Sequence, residues 1–198
     1  LGMLGRTFWT GLRTPTMSTA TDTLNSLRHP APTTPERALG FFDELSEVDL
    51  AFMRGRWVGS GLATGHPMDG LLEATGWYGK EFIDPEHVHP LLFRVGDRIR
   101  SVRPLHLGME LALSLPYARF GWLLVPATRL SNRLLATTHS HARLRMVQYR
   151  GRTSATMIYD RLPVNDVFRR IDDDTLLGLM DYKGMAYPFF FVLTRDRS

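Results

Sequence analysis

Lysine occurs only twice in this chain, at Lys80 and Lys183. Lys80 follows two aromatic residues, Trp77 and Tyr78, in GWYGKEF. An ammonium held away from water has a lowered pKa and can form a Schiff base or donate to an anion. In an extended segment Tyr78 and Lys80 share one side. The plainer alternative is an aromatic belt beneath the fold, with the Lys80 stem along it and the ammonium in water. That alternative is favoured.

A second set is acidic. Tyr159-Asp160 closes one expected strand, and Asp166 opens the next after Leu162-Pro163. Arg169 and Asp181 lie nearby in sequence. A carboxylate whose pKa is raised by burial can act as a general base. Against this, aspartates often cap turns, and Asp166 can pair with Arg169. Asp172-Asp173-Asp174 reads as a turn, because the spacing of a calcium loop is absent.

The histidines form the pairs His87/His89 and His139/His141, and a third zinc ligand at useful spacing is not evident. No metal is expected. His66, in GHPMDG, falls just after the first strand. If the protein is an enzyme, its acid/base candidates are Asp160, Asp166, Tyr78 and His66. There is no GxSxG or HExxH motif.

These residues need elements to place them. Thr34-Pro35-Glu36 is a helix start, with a capping hydroxyl, a first-turn proline and an early acid. The helix ALGFFDELSEVDLAFM is expected to follow, with Leu39, Phe42, Leu45 and Leu50 inward. GRWVGSGLAT (55–64) reads as a strand with Trp57, Gly59 and Gly61 on one face. It has no GK[ST] and fits no GxGxxG, so it is not a phosphate loop. Residues 71–82 suggest a helix broken near Gly76 and Gly79, and 87–104 one or two strands around Gly96-Asp97. From Ala142 on, alternating segments separated by tight turns form an antiparallel meander, with Leu144 and Met146 on one face. Such a meander must curl or close to protect its edges. Residues 105–135 are expected to be helix or a lid-like crossover.

Residues 1–32 are expected to be an extended or disordered tail, and 33–198 a single β-barrel domain. Of the 198 residues, 43% are hydrophobic and 22% charged, enough to bury a core. Without cysteine, disulfides and thiolate chemistry are excluded. A net charge of +4 without a lysine block argues against nucleic acid. No apolar run reaches the roughly 20 residues of a spanning helix. A soluble, cytoplasmic protein is expected.

GRWVGSG, then GWYGKEF and HPLLF, resembles the GXWXG domain. The run YRGRTSATMIYDRLPVNDVFRRIDDDTLLGLMDYKG resembles the domain of unknown function 4334 that follows it. The GXWXG part spans about 37–97 and the C-terminal meander about 140–196. The first strand is also similar to the G-x-W pattern of calycins, extended to GxWxGxG in nitrobindins. That likeness implies a calycin-like antiparallel barrel, mainly β, with an N-terminal helix and an inserted helical or irregular segment. It implies no haem ligand, since nitrobindins use a histidine near the C-terminus and the last histidine here is His141. No cofactor is therefore expected, and haem stays open without a residue to support it.

The expected function is binding of a small hydrophobic, lipid-, polyketide- or terpenoid-like molecule in the barrel. The lining would come from Trp57, Trp77, Tyr78, Lys80, Met146, Met157, Tyr159, Met180, Phe189 and Phe191. Two alternatives stand beside it: a cyclase or isomerase using the same cavity, and a solid structural barrel filled by its own side chains. The oligomeric state is left open.

Overall fold

The computed structural model describes residues 19–30, 32–105 and 117–198, the side chains of 117–120, 123 and 124 excepted. Its strands are β1 (Ser46–Glu47), β2 (Gly55–Gly61), β3 (Trp77–Phe82), β4 (Val88–Val95), β5 (Arg98–Val102), β6 (Ala136–Thr137), β7 (Ala142–Tyr149), β8 (Arg152–Tyr159), β9 (Val164–Arg170), β10 (Thr175–Tyr182) and β11 (Phe189–Arg195). Helices are α1 (Ala20–Arg28), α2 (Pro35–Glu44), α3 (Leu50–Met53), α4 (Leu71–Thr75) and α5 (Tyr117–Leu134).

The hydrogen-bonded order β3-β2-β11-β10-β9-β8-β7-β4, with β4 returning to β3, closes an eight-stranded antiparallel barrel. The meander runs β7 to β11 as the alternation predicts. One seam is weak: β4 and β7 share a single residue pair, Val88 with Ala142. β4 begins there, so β7 runs on past the turn before it, where the Leu144 amide meets the Pro85 carbonyl, and its far half has no strand on that side. Met146 is therefore 43% exposed and does not line the barrel, contrary to the alternation.

The run FFFVL in β11 has no polar alternation because both faces are buried. Phe189, Phe191 and Leu193 point into the barrel with Val164 and Phe168 of β9 and Leu176 and Met180 of β10. Phe190 and Val192 point outward with Val167, Leu177 and Leu179, beneath Leu24, Leu27, Ala38, Phe41 and Phe42 of α1 and α2. This second core corrects two expectations. Residues 20–28 form a helix rather than a tail. Thr19 and Asp22 cap it reciprocally, and Leu24 and Leu27 bury its inner face. The remainder of the expected tail, residues 1–18 and 31, lies outside the described residues. The second helix starts at Thr34 as predicted but stops at Glu44. Ser46 and Glu47 leave it to pair with Arg170 and Arg169 of β9, and Asp49 caps a new turn at Phe52.

The small residues on the Trp57 face leave no cavity: a Cβ on Gly61 would stand 3.0 Å from the Glu73 carboxylate, and two other glycines of the barrel lie under rings. A Cβ on Gly59 would stand 2.2 Å from the Trp77 ring, and one on Gly178 would stand 2.3 Å from Phe191. Each of these two is the seat of an aromatic ring. Gly59→Ala is expected to lower unfolding stability by about 2 kcal/mol through overpacking. Urea denaturation would check this, with near-ultraviolet circular dichroism reporting the displaced indole.

The insertion is helical from Tyr117, as one of the two expected forms, and Pro126 lies within α5. Residues 106–116 of the expected crossover lie outside the described residues.

Candidate functional site

Register places the ends of several strands together. Tyr159 (β8), Val164 (β9), Tyr182 (β10), Phe189 (β11) and Ala142 (β7) lie at one end of the barrel. Trp77 at the start of β3 and Phe93 of β4 pair at the same end. Residues 62–75, ending in α4, cross over it.

Within this end lies a buried ion pair. Lys80 Nζ stands 2.7 Å from Asp166 Oδ2, with side-chain exposures of 3% and 1%. Around the ring, β3 and β9 are four strands apart in either direction. The pair therefore ties opposite walls of the barrel across its interior. Lys80 also donates to the Pro90 carbonyl at 3.1 Å. Its ammonium lies 4.9 Å from the Phe191 ring centre, 5.7 Å from Trp77 and 5.8 Å from Tyr159. These aromatic faces attract a cation.

A bulge makes the arrangement possible. In a regular strand Trp77 and Lys80, three apart, would face opposite sides. The β3–β4 register shifts on both sides of Gly79, whose φ is +148°. The shift turns both Trp77 and Lys80 inward. It also overturns the expectation that Tyr78 and Lys80 share a side. Tyr78 lies under the Arg94 guanidinium at 4.9 Å and donates its hydroxyl to Asp196 at 2.6 Å, away from the ion pair.

Asp166 faces Met157 on β8 and Met180 on β10. Its Oδ1 is buried and has no hydrogen-bond partner. Burial pushes its carboxyl pKa up, and Lys80 only partly opposes that. Burial, with the Asp166 carboxylate nearby, raises the Tyr159 phenol well above its usual range, so it remains a neutral hydroxyl. The site thus holds an acid of raised pKa, an ammonium and a phenol among apolar walls. Such a group can move a proton to or from a substrate, or hold a polar head.

The other candidates separate from it. Asp160 lies at the surface and pairs with Arg143 at 3.2 Å. Arg169, the alternative partner of Asp166, points to the outer face: it stacks on Phe42 at 5.1 Å and donates to the Tyr149 carbonyl. Trp57, Met157, Met180 and Phe189 are interior core. Trp57 Nε1 donates to the Met53 carbonyl at 2.7 Å.

Two openings flank the covering segment 62–75. One, with His66, Pro67, Tyr182, Met185 and Tyr187 on its walls, has about 450 Å³ of space. The His66 ring lies 5.3 Å from Phe189, and its Nδ1 accepts from the Met68 amide. The other is an apolar cleft of about 180 Å³ between α4, α5 and the β4–β5 hairpin. Leu71, Leu91, Phe93, Val102, Leu135 and Leu162 line it. Sequence reasoning missed all six, because they come from five separate segments with no shared period. Phe93, Val102 and Leu162 belong to the same core cluster as Trp77, Tyr159 and Phe191.

Burial lowers the His66 pKa from 6.5 to about 4. The folded ring is then neutral where the unfolded one takes a proton. Its contribution is complete above pH 6.5 and is lost as pH falls from 6.5 through about 4. The ceiling is about 3 kcal/mol, and water at the half-buried ring reduces it. Urea unfolding between pH 7.5 and 4 should show a shallower pH slope in His66→Gln than in wild type.

The fold defines the protein as a small closed antiparallel barrel with a polar pair across its interior. A domain of unknown function, DUF4334, matches residues 140–195, and the GXWXG protein model matches residues 40–97. A crystal structure of a protein from Thermomonospora curvata is 34% identical, covering 90% of this chain and 99% of that one, with a TM-score of 0.64. The chain belongs to this family, in which the GXWXG domain precedes DUF4334. A search of curated proteins found no match.

Proposed function

We propose that the barrel binds a small, mostly apolar molecule that enters at the cleft between α4, α5 and the β4–β5 hairpin, whose Phe93, Val102 and Leu162 share a core cluster with the aromatic rings around the Lys80–Asp166 pair. The observation that carries this is the pair itself, at 2.7 Å and almost without solvent, with Asp166 Oδ1 unsatisfied. Taking two charges out of water costs several kcal/mol each, and apolar residues of similar size often serve stability as well or better. A partner for the free oxygen gives the pair a role that packing alone does not require. An apolar space of about 150 Å³ suffices for a benzene-sized guest, so the cleft suits a compact ligand or the end of a longer one.

Native mass spectrometry of the purified protein, followed by extraction, tests this. A co-purifying small molecule that is absent from Leu135→Trp, which fills the cleft, is the expected result. If wild type carries nothing and 1-anilinonaphthalene-8-sulfonate binds both proteins equally, the proposal fails.

A second reading is supported by Asp166 specifically. A carboxyl of raised pKa beside an ammonium and a neutral phenol suits general acid/base catalysis, as in an isomerase or cyclase. With the guest in hand, turnover by wild type and its loss in Asp166→Asn would separate catalyst from carrier.

A further inference from the structure

The outer face of α5 is apolar where a surface helix should be polar. Trp122 is 77% exposed, Leu130 61% and Leu134 79%. With the exposed Pro126 they recur every fourth residue, which places them on one side of the helix. The opposite side holds Thr128, Ser131, Asn132 and Leu135, which line the cleft. Single exposed apolar residues are ordinary, but a stripe down a helix is not.

Charge identifies what covers it. From Tyr117 to Leu134 there are three arginines and no acidic residue. Arg133 flanks the stripe, and Arg129 at its edge donates to the Ala74 carbonyl at 2.9 Å. Neither forms an ion pair among the described residues. A second copy of the helix would bring only the same arginines and no acid to meet them. An apolar stripe with tryptophan and leucine, flanked by arginines, instead matches the boundary of an anionic bilayer. No described helix is long and apolar enough to cross a membrane, so α5 would lie on its surface.

We infer that α5 docks this protein on anionic membrane surfaces through Trp122, Leu130 and Leu134. The docked face is the back of the helix that walls the cleft. The inference does not depend on a guest there, because vesicle binding reads the helix face alone.

Flotation with vesicles of phosphatidylcholine and phosphatidylserine, against phosphatidylcholine alone, tests it. Wild type should float with the anionic vesicles, less so at high salt, and its tryptophan emission should shift to the blue. The triple variant Trp122→Ser/Leu130→Ser/Leu134→Ser changes only exposed side chains. It should keep its unfolding midpoint and partition at least about tenfold more weakly. Arg133→Ser should weaken binding to the anionic vesicles by about fivefold and leave the neutral ones unaffected. Wild type that stays unbound with both vesicles overturns the inference, as does a triple variant that floats equally well. So does a concentration-dependent dimer that the triple variant dissolves, which would make a second copy the occupant.

Discussion

Replacing Lys80 by methionine and Asp166 by leucine together is expected to leave the barrel as stable as wild type, or up to about 3 kcal/mol more stable. Each single change should do the opposite. Asp166→Asn leaves an ammonium buried without a counter-charge and should cost about 3 to 5 kcal/mol. Lys80→Met leaves the carboxyl alone, and burial then favours its protonated, neutral form. Its pKa is already raised by burial, and without Lys80 it rises further. An acid with a raised folded pKa contributes fully below the unfolded value, and that advantage is lost as pH rises from the unfolded value through the folded one. Lys80→Met should therefore be close to wild type near pH 4 and fall behind as the pH increases. Urea unfolding of the four proteins at pH 4.5 and 8 measures all of this. A double variant at least as stable as wild type that has lost the guest would assign the pair to binding or chemistry. A double variant several kcal/mol weaker would assign it to holding opposite walls together.

Gly79→Ala is expected to abolish the native barrel, with a loss above about 4 kcal/mol. Two effects coincide there. The φ of +148° is a conformation that side chains avoid. A Cβ would also stand 1.9 Å from the Trp57 carbonyl oxygen and 2.9 Å from the Gly59 amide nitrogen, backbone atoms with nowhere to move. Relaxing the bulge would return β3 to regular alternation. Trp77 and Lys80 could then no longer both point inward, and a charge or an indole would be forced out of the core. Gly40→Ala is the matching control. It lies within α2, and a Cβ meets nothing within 4 Å. Losing a helical glycine there should stabilise by about 0.5 to 1 kcal/mol. Thermal melts of both variants against wild type give the comparison. A folded Gly79→Ala protein with an unchanged midpoint would show that the bulge does not set the position of Lys80.

Much of the frame was legible in local signals. Thr34-Pro35-Glu36 marked a helix start because capping is chemistry among neighbours. Period-two alternation and tight turns marked β7 to β11, and the glycines around Trp57 marked a strand. A meander that must hide its edges implied closure. Lys80 and Asp166 stood out as residue types, a rare lysine beside aromatics and an acid at a strand start. Their union did not, because nothing local links residues 86 positions apart on opposite walls of a ring. Alternation assigns residues to faces only while the register holds, and the bulge at Gly79 broke it. That break paired Tyr78 with Asp196 instead of the interior. Helix α1 was hidden for a related reason: its two buried leucines acquire meaning only from the outer face of β9 to β11. The amino-acid order thus determined the strands, their turns and the residues able to do chemistry. Tertiary structure alone decided which of them meet, since inward or outward depends on where the ring closes and where its register slips.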